Sequence, residues 1–320
     1  MGLDLLDTPV RLTWDFPAIV SGDRATGQSG VSLPAIANSI IDGGVFFVTL
    51  QNDPLLHPAV GAVLNILAGG CQLIINCRGS SDELARLSQL PQAGCQLLLD
   101  TSGFIDVKQK LDSDKLKTTV QALRRLEYEP VISLMPLQDN LCNIPDLLRF
   151  CRAHQISKFK LPNAHIGDSV HTYSTDDLPR WQNLDSFRKS WLEFVKEPCK
   201  LPAMEIHDLF LWEIMTPGQQ QNRSEYGGCQ AGNSLGHIDG RGVVHPCAAW
   251  PQPLGKLPDQ SLEDVWAGRE RLAVREHVAQ TPGGCLGCRD IDICFGGCRG
   301  LAFQLNRSEK ERDLMCSGPR

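Results

Sequence analysis

The stretch Cys285-Leu-Gly-Cys288-Arg-Asp-Ile-Asp-Ile-Cys294-Phe-Gly-Gly-Cys298 sets four thiols at Cys-x2-Cys-x5-Cys-x3-Cys spacing. Cys229, Gly242-x4-Cys247 and Cys316 flank it, so seven of the chain's 13 cysteines fall in its last third. Seven thiols exceed the four ligands of one tetrahedral metal and approach the eight that two all-cysteine iron–sulfur clusters use. Gly296 and Gly297 permit positive φ and close backbone approach to inorganic sulfur. Their N–H groups, and that of Gly242 ahead of Cys247, are expected to donate to the sulfurs. Arg289 and Arg299 read as surface residues, with cluster charge compensation as the alternative role. Zinc at Cys285–Cys298 is the competing metal, and it strands three thiols.

Outside this region the composition is ordinary. The 320 residues are 42% hydrophobic and 21% charged, which fits one or two globular domains. A net charge of −6 gives no reason to expect a nucleic-acid partner. No apolar run is long enough for a membrane span. The N-terminus carries Asp4 and Asp7 and does not read as a secretory signal. A cysteine-rich chain without such a signal is expected in the reducing cytoplasm, where clustered thiols are metal ligands more often than disulfides. Cys71, Cys77, Cys95, Cys142, Cys151 and Cys199 are scattered and read as core or incidental residues.

The first half alternates short β-rich runs with helical patterns. Strands are expected at Val10–Phe16, Val45–Leu50, Gln72–Asn76, Gln96–Asp100, Pro130–Met135 and Ser157–Leu161. They are apolar on both faces, as buried parallel strands are. Helices are expected at Leu33–Asp42, Ala59–Ala68, Asp82–Leu90, Asp114–Leu126 and Pro145–His154. Asp112 or Ser113 caps the fourth, and Asn143 caps the fifth. Six βα units predict an α/β fold, a partial (β/α)6 TIM-like barrel, with a flat doubly wound sheet as the alternative. Ala164–Leu178 reads as a linker. Trp181, Leu184, Phe187, Trp191, Phe194 and Val195 form the core stripe of a helix that Glu197-Pro198 ends. A boundary is expected in Pro217–Gly228, and a later helix begins at Ser261 as N-cap. The expected parts are residues 1–175, a bridging helix and linker at 176–228, and a cysteine-rich part at 229–320.

The cysteine array resembles the SPASM domain attached to many radical S-adenosylmethionine (SAM) enzymes. That family's pattern is a cysteine, a spacer, Gly-x4-Cys, a gap, Cys-x2-Cys-x5-Cys-x3-Cys, a gap and a last cysteine, and every element is present. Gly242-Val-Val-His-Pro-Cys247 and Ser261-Leu-Glu-Asp-Val-Trp266 also look like the family. The resemblance implies two auxiliary 4Fe-4S clusters. One would be held by Cys285, Cys288, Cys294 and Cys316, the other by Cys229, Cys247 and Cys298. The second set is one ligand short. Relatives place a further cysteine where this chain has Leu235; His237, Asp239, a distant thiol, water or substrate are the open alternatives.

The front half is similar to a radical-SAM barrel that lacks its reactive parts. Val10-Arg-Leu-Thr-Trp-Asp-Phe16 looks like the first barrel strand, but the loop from Pro17 to Gly27 has no Cys-x3-Cys-x2-Cys motif. Where active relatives have Gly-Gly-Glu-Pro-Leu, this chain has Gln51-Asn52-Asp53-Pro54-Leu55. Cys77-Arg78-Gly79 and Asp100-Thr-Ser-Gly103 match the later family motifs only loosely. S-adenosylmethionine binding is therefore not expected, and no catalytic residue is assigned. A complete tail on a cluster-free barrel resembles the GeoRSP system SPASM-domain proteins. That resemblance implies a noncatalytic partner of an active radical SAM/SPASM protein, with a PqqD-like peptide chaperone and a precursor peptide alongside. The role would be electron transfer or peptide binding in ribosomal peptide modification. The alternative is an enzyme in which an open iron of the second set acts on substrate, with His237 or His245 as acid–base groups.

Overall fold

The computed structural model describes residues 5–18, 31–90, 94–163, 176–197, 200–216, 227–306 and 312–319. From the N-terminus, β1 (Arg11–Asp15), α1 (Leu33–Asp42), β2 (Phe47–Gln51), α2 (Val60–Leu67), β3 (Gln72–Cys77), α3 (Ser81–Leu87) and β4 (Gln96–Asp100) alternate. Then follow α4 (Ser113–Arg125), β5 (Val131–Ser133), α5 (Ile144–Ala153), β6 (Lys158–Leu161), α6 (Trp181–Phe194), β7 (Ala203–Ile206) and α7 (Leu209–Met215). The remainder is β8 (Leu235–Ile238), β9 (Val243–His245), β10 (Gly255–Lys256), α8 (Leu262–Ala267), α9 (Arg269–Ala279), α10 (Ile291–Cys294) and α11 (Arg299–Asn306). The described parts of Met1–Leu98 and Gln230–Ala279 form one unit. Those of Leu99–Ala164, Tyr173–Cys229 and Gln280–Arg320 form a second, with β4 divided after Leu98.

In the first unit the strand order is β10-β9-β8-β1-β2-β3. β1 is parallel to β2 on one side, with Thr13 opposite Thr49. It is parallel to β8 on the other, with Thr13 opposite His237. β8 turns back on β9 as a hairpin that sets His237 opposite His245. Leu12, Trp14, Val48, Leu50, Leu73 and Ile75 are all buried, each contributing about 1.5–3 kcal/mol of hydrophobic stabilisation. α1 buries Leu33, Ile36, Ala37 and Ile40, a single helical stripe, and Ser32 accepts from Ala35 N–H at its start. α3 begins with a capping box between Ser80 and Glu83. Glu83 is buried because it also accepts from Arg78 N–H.

In the second unit β5, β6 and β7 are parallel and consecutive, with Phe159 between Ile132 and Met204. Asp112 caps α4 by accepting from Lys115 N–H. Asn143 stands at the start of α5 but makes no capping bond. Its amide donates instead to Gln109 carbonyl, because the preceding turn already holds its backbone in the helical region. On α6 the expected stripe is buried at Leu184, Phe187, Trp191 and Phe194, whereas Trp181 and Val195 at its ends are exposed. Pro198, most of the linker and most of Pro217–Gly228 lie outside the described residues.

All six expected strands and five expected front-half helices form, α1 and β4 with the expected bounds and the others shifted by a few residues at one or both ends. The architecture is α/β with parallel strands linked by helices. No helix among the described residues is long and apolar enough to cross a membrane.

Candidate metal centre

The second unit contains Cys229 and the five cysteines from Cys285 onward. Cys288 N–H bonds to Cys285 carbonyl at 3.1 Å, closing the Cys-x2-Cys turn. Asp290 carbonyl accepts from Cys294 N–H at 2.9 Å, so one turn of α10 carries the third thiol. Phe295, Gly296 and Gly297 then take φ values of 54°, 84° and 67°. This left-handed run reverses the chain and brings Cys298 to the start of α11. A Cβ on Gly297 would lie 2.5 Å from Asp313 Oδ2, and one on Gly296 would lie 2.9 Å from Pro282 Cγ. Both glycines are thus required for close approach as well as for hand. The Gly297 N–H bonds to Cys294 carbonyl at 2.9 Å, so it closes the turn rather than donating to sulfur as expected.

Four of these thiols share one electrostatic neighbourhood. Burial, then the charges of Cys294, Cys316 and Cys288, push the Cys285 thiol up to about 11, while Arg299 opposes the rise. These are the four residues that the resemblance implies as one ligand set. A bound metal reverses this balance, because a coordinating thiol is deprotonated outright. The donor set fits an iron–sulfur cluster: four soft sulfurs, a buried cation and a glycine-lined loop. Among the described residues no three His, Cys, Asp or Glu side chains are gathered tightly enough for a single metal ion.

Arg299 corrects the surface reading. It is only 2% exposed and its guanidinium donates to Gln280 carbonyl at 2.8 Å, whereas Arg289 is exposed. Cys298 is buried, and the Asn163 amide reaches its sulfur at 3.8 Å. Cys229 follows Gly228, where a Cβ would lie 2.9 Å from Cβ of Phe295. The glycine therefore lets the Cys229 segment pack on the left-handed run. Asn163 and Asp313 carry no sequence signal of a role here.

Cys247 lies in the first unit, on the turn after β9, where its carbonyl accepts from Trp250 N–H at 3.1 Å. Gly242 has φ 83°, and a Cβ there would stand 2.5 Å from Leu257 carbonyl oxygen. Its N–H bonds to Asp239 carbonyl, so the expected bond to sulfur is replaced by the β8–β9 turn. His237 is 4% exposed, with Nδ1 2.8 Å from Thr13 Oγ1 and Nε2 3.9 Å from Asp15 Oδ2. Asp239 accepts from the backbone of Arg241 and Val243 and from the Arg241 guanidinium, and lies 3.5 Å from His245 Nε2. Burial alone would raise its pKa, but bonds from His245, Val243 and Arg241 hold it well below the usual carboxylate range. Both proposed substitutes for a missing thiol are thus engaged within their own unit.

The scattered cysteines behave unequally. Cys77 and Cys151 are buried, and burial pushes the Cys151 thiol up to about 12. Cys71 and Cys95 are partly exposed and Cys142 is exposed, so not all are core residues; Cys199 lies outside the described residues. Asn52 and Asp53, which stand where the resemblance places the second glycine and the glutamate, adopt φ of 63° and 55°. Asn52 donates to Phe16 carbonyl at 2.6 Å and Asp53 pairs with Arg78 at 3.5 Å. Residues 19–27 of the cysteine-free loop lie outside the described residues.

No family model matches the chain. Over 84 residues, 25% of this chain, it is 37% identical to a PqqA peptide cyclase of Xanthomonas campestris pv. campestris (strain B100). The chain covers only 22% of that relative. The structure of Streptococcus suis SuiB bound to S-adenosylmethionine matches 98% of this chain and 78% of its own, with TM-score 0.69 and 16% identity. SuiB has also been solved bound to precursor peptide SuiA. anSMEcpe with bound AdoMet matches 96% of this chain and 94% of its own, with TM-score 0.62 and 13% identity. At this identity the likeness shows the fold: the chain shares the partial TIM-barrel architecture of radical SAM/SPASM proteins.

Proposed function

We propose that this chain is a noncatalytic iron–sulfur protein serving an active radical SAM/SPASM enzyme in the modification of ribosomally made peptides. The observation that carries it is that Cys294, Cys316 and Cys288 lie near enough to Cys285 for their charge to raise its thiol, in a chain whose first strand is followed by no Cys-x3-Cys-x2-Cys loop. The quartet holds one 4Fe-4S cluster and the remaining thiols serve a second. Such clusters, when bound, store and pass single electrons. Arg299 offsets the charge of the quartet, and the Asn163 amide donates to Cys298 sulfur. The first barrel strand keeps its place while the thiols that would anchor a SAM-cleaving cluster are gone, a separation of fold from reaction.

The substrate class rests on the relatives: a peptide cyclase by name, and a protein solved with a precursor peptide. In this reading the physiological partners are an active radical SAM/SPASM protein, a PqqD-like chaperone and a precursor peptide in the cytoplasm. Residues 1–175 supply scaffold, 176–228 the bridge and 229–320 the iron–sulfur part. Anaerobic purification with iron and sulfide counting, followed by S-adenosylmethionine titration, tests it. About eight irons per chain and no binding of S-adenosylmethionine are expected. Zinc in place of iron, or about twelve irons with 5′-deoxyadenosine formation, overturns it.

A second reading, an enzyme without S-adenosylmethionine cleavage, draws on the buried pair His237–Asp15 and on buried His245 beside half-buried Asp239, which are acid–base groups in form. A change in the cluster spectrum on adding peptide favours it over the electron-transfer role.

A further inference from the structure

Asp313 is 4% exposed, yet it is a carboxylate. Its Oδ2 accepts from the backbone N–H of Cys298 at 2.6 Å. Its Oδ1 accepts from Met315 N–H at 2.8 Å, and its own carbonyl accepts from Cys316 N–H at 3.1 Å. One residue thus grips two thiol-bearing segments, the left-handed run ending at Cys298 and the turn carrying Cys316. Gly297 has no side chain where Asp313 sits: a Cβ there would lie 2.5 Å from Oδ2 and 2.7 Å from Cβ of Asp313. The contact is therefore built from both sides.

A buried carboxylate is expensive unless its oxygens are filled. Here each oxygen takes a backbone N–H, and bonds of this charge-assisted kind are short and strong. No apolar residue of the same volume replaces them, because it would orphan two buried donors. Cys298 and Cys316 belong to different ligand sets in the proposed assignment.

We propose that Asp313 is a positioning residue whose side chain seats Cys298 directly and, through Met315 N–H, the turn that carries Cys316, so that loading of the two clusters is linked through one residue. The inference rests on the proposed iron–sulfur function. It places no electron or proton on Asp313, only the aim of two sulfurs.

The test compares anaerobically purified full-length wild type, Asp313→Asn, Asp313→Ala and Cys316→Ser. Iron and sulfide are counted, and the two reduced-cluster signals are separated by electron paramagnetic resonance at stepped potentials. Asp313→Asn keeps the volume but has one acceptor where two donors wait. It should lower both signals in the same proportion, to about half of wild type or less, and Asp313→Ala should lower both further. Cys316→Ser should remove one signal and leave the other. Full loading of Asp313→Ala, or loss of only one signal in the Asp313 variants, overturns the proposal. Hydrogen exchange on the cluster-free forms separates aim from collapse. Cys298 and Met315 amides should lose protection at least tenfold in Asp313→Asn while β5 and β6 amides keep theirs; unchanged protection at Cys298 overturns the proposal, as does loss of protection throughout the unit. A wild type without iron would instead sink the functional reading, and the exchange result would still stand or fall alone.

Discussion

The hydroxyl of Thr13 lies 2.8 Å from Nδ1 of His237, across the parallel pair β1–β8. This bond commits one face of a nearly fully buried imidazole. It makes His237 part of the first unit's interior rather than a spare ligand. His237→Gln should therefore leave the iron count unchanged while lowering stability by about 1–3 kcal/mol, through an unsatisfied Thr13 or Asp15. Parallel iron assay and denaturant unfolding check this. Loss of about four irons would return His237 to the ligand list.

Cys285 receives the charge of three other thiols. Cys285→Ser and Cys294→Ser should each remove one cluster signal and about four irons. Cys151→Ser, at a buried site outside the group, should keep all iron and affect only stability. Iron analysis with redox-stepped spectroscopy decides between these outcomes.

Asp208 offers a pH test. Burial, then the charge of Asp313, pushes it up to about 8, while Asp208 caps α7 by accepting from Phe210 and Leu211 N–H. The folded chain keeps a proton that the unfolded chain releases near its ordinary pKa of about 4. The resulting stabilisation is complete below that value and is lost as pH rises through about 8. The slope is at most about 1.4 kcal/mol per pH unit for one group. Asp208→Asn retains a capping oxygen and does not titrate. Its stability should be flatter with pH and should exceed wild type at the alkaline end, as denaturant midpoints across that range will show.

Gly297→Ala tests the left-handed run. With φ at 67° and Asp313 2.5 Å from the added atom, the substitution should destabilise by about 1–2 kcal/mol from hand alone. The steric clash adds to this, and iron content should fall with stability. Gly103→Ala, where nothing lies within 4 Å of the added atom, is the matching control.

Legibility in the sequence followed periodicity. α1, with its stripe at Leu33, Ile36, Ala37 and Ile40, could be bounded residue for residue. β4 was equally plain as a run of Leu97, Leu98 and Leu99. β9 has three residues and β10 two, too short for any repeat to emerge. α7 is Leu-Phe-Leu-Trp-Glu-Ile-Met, nearly apolar all round, so it has no face to read. The thiol spacing marked Cys285 to Cys298 as a ligand region, because ligand chemistry fixes residue type and local separation, while the grouping of Cys316 with Cys285, Cys288 and Cys294 came from the family resemblance alone. It could not show that Arg299 is buried or that Asp313 grips Cys298, since both depend on segments brought together only by folding.

Because β8 supplies one flank of β1, Leu235–Ile238 complete a layer begun near Arg11, more than 200 residues earlier in the chain. A fragment cut at residue 228 would bare a row of unmatched amides and carbonyls along β1. Such an edge recruits strands from neighbouring molecules, so the isolated front half should aggregate, whereas a shortened chain ending just after Ala279 should retain that flank.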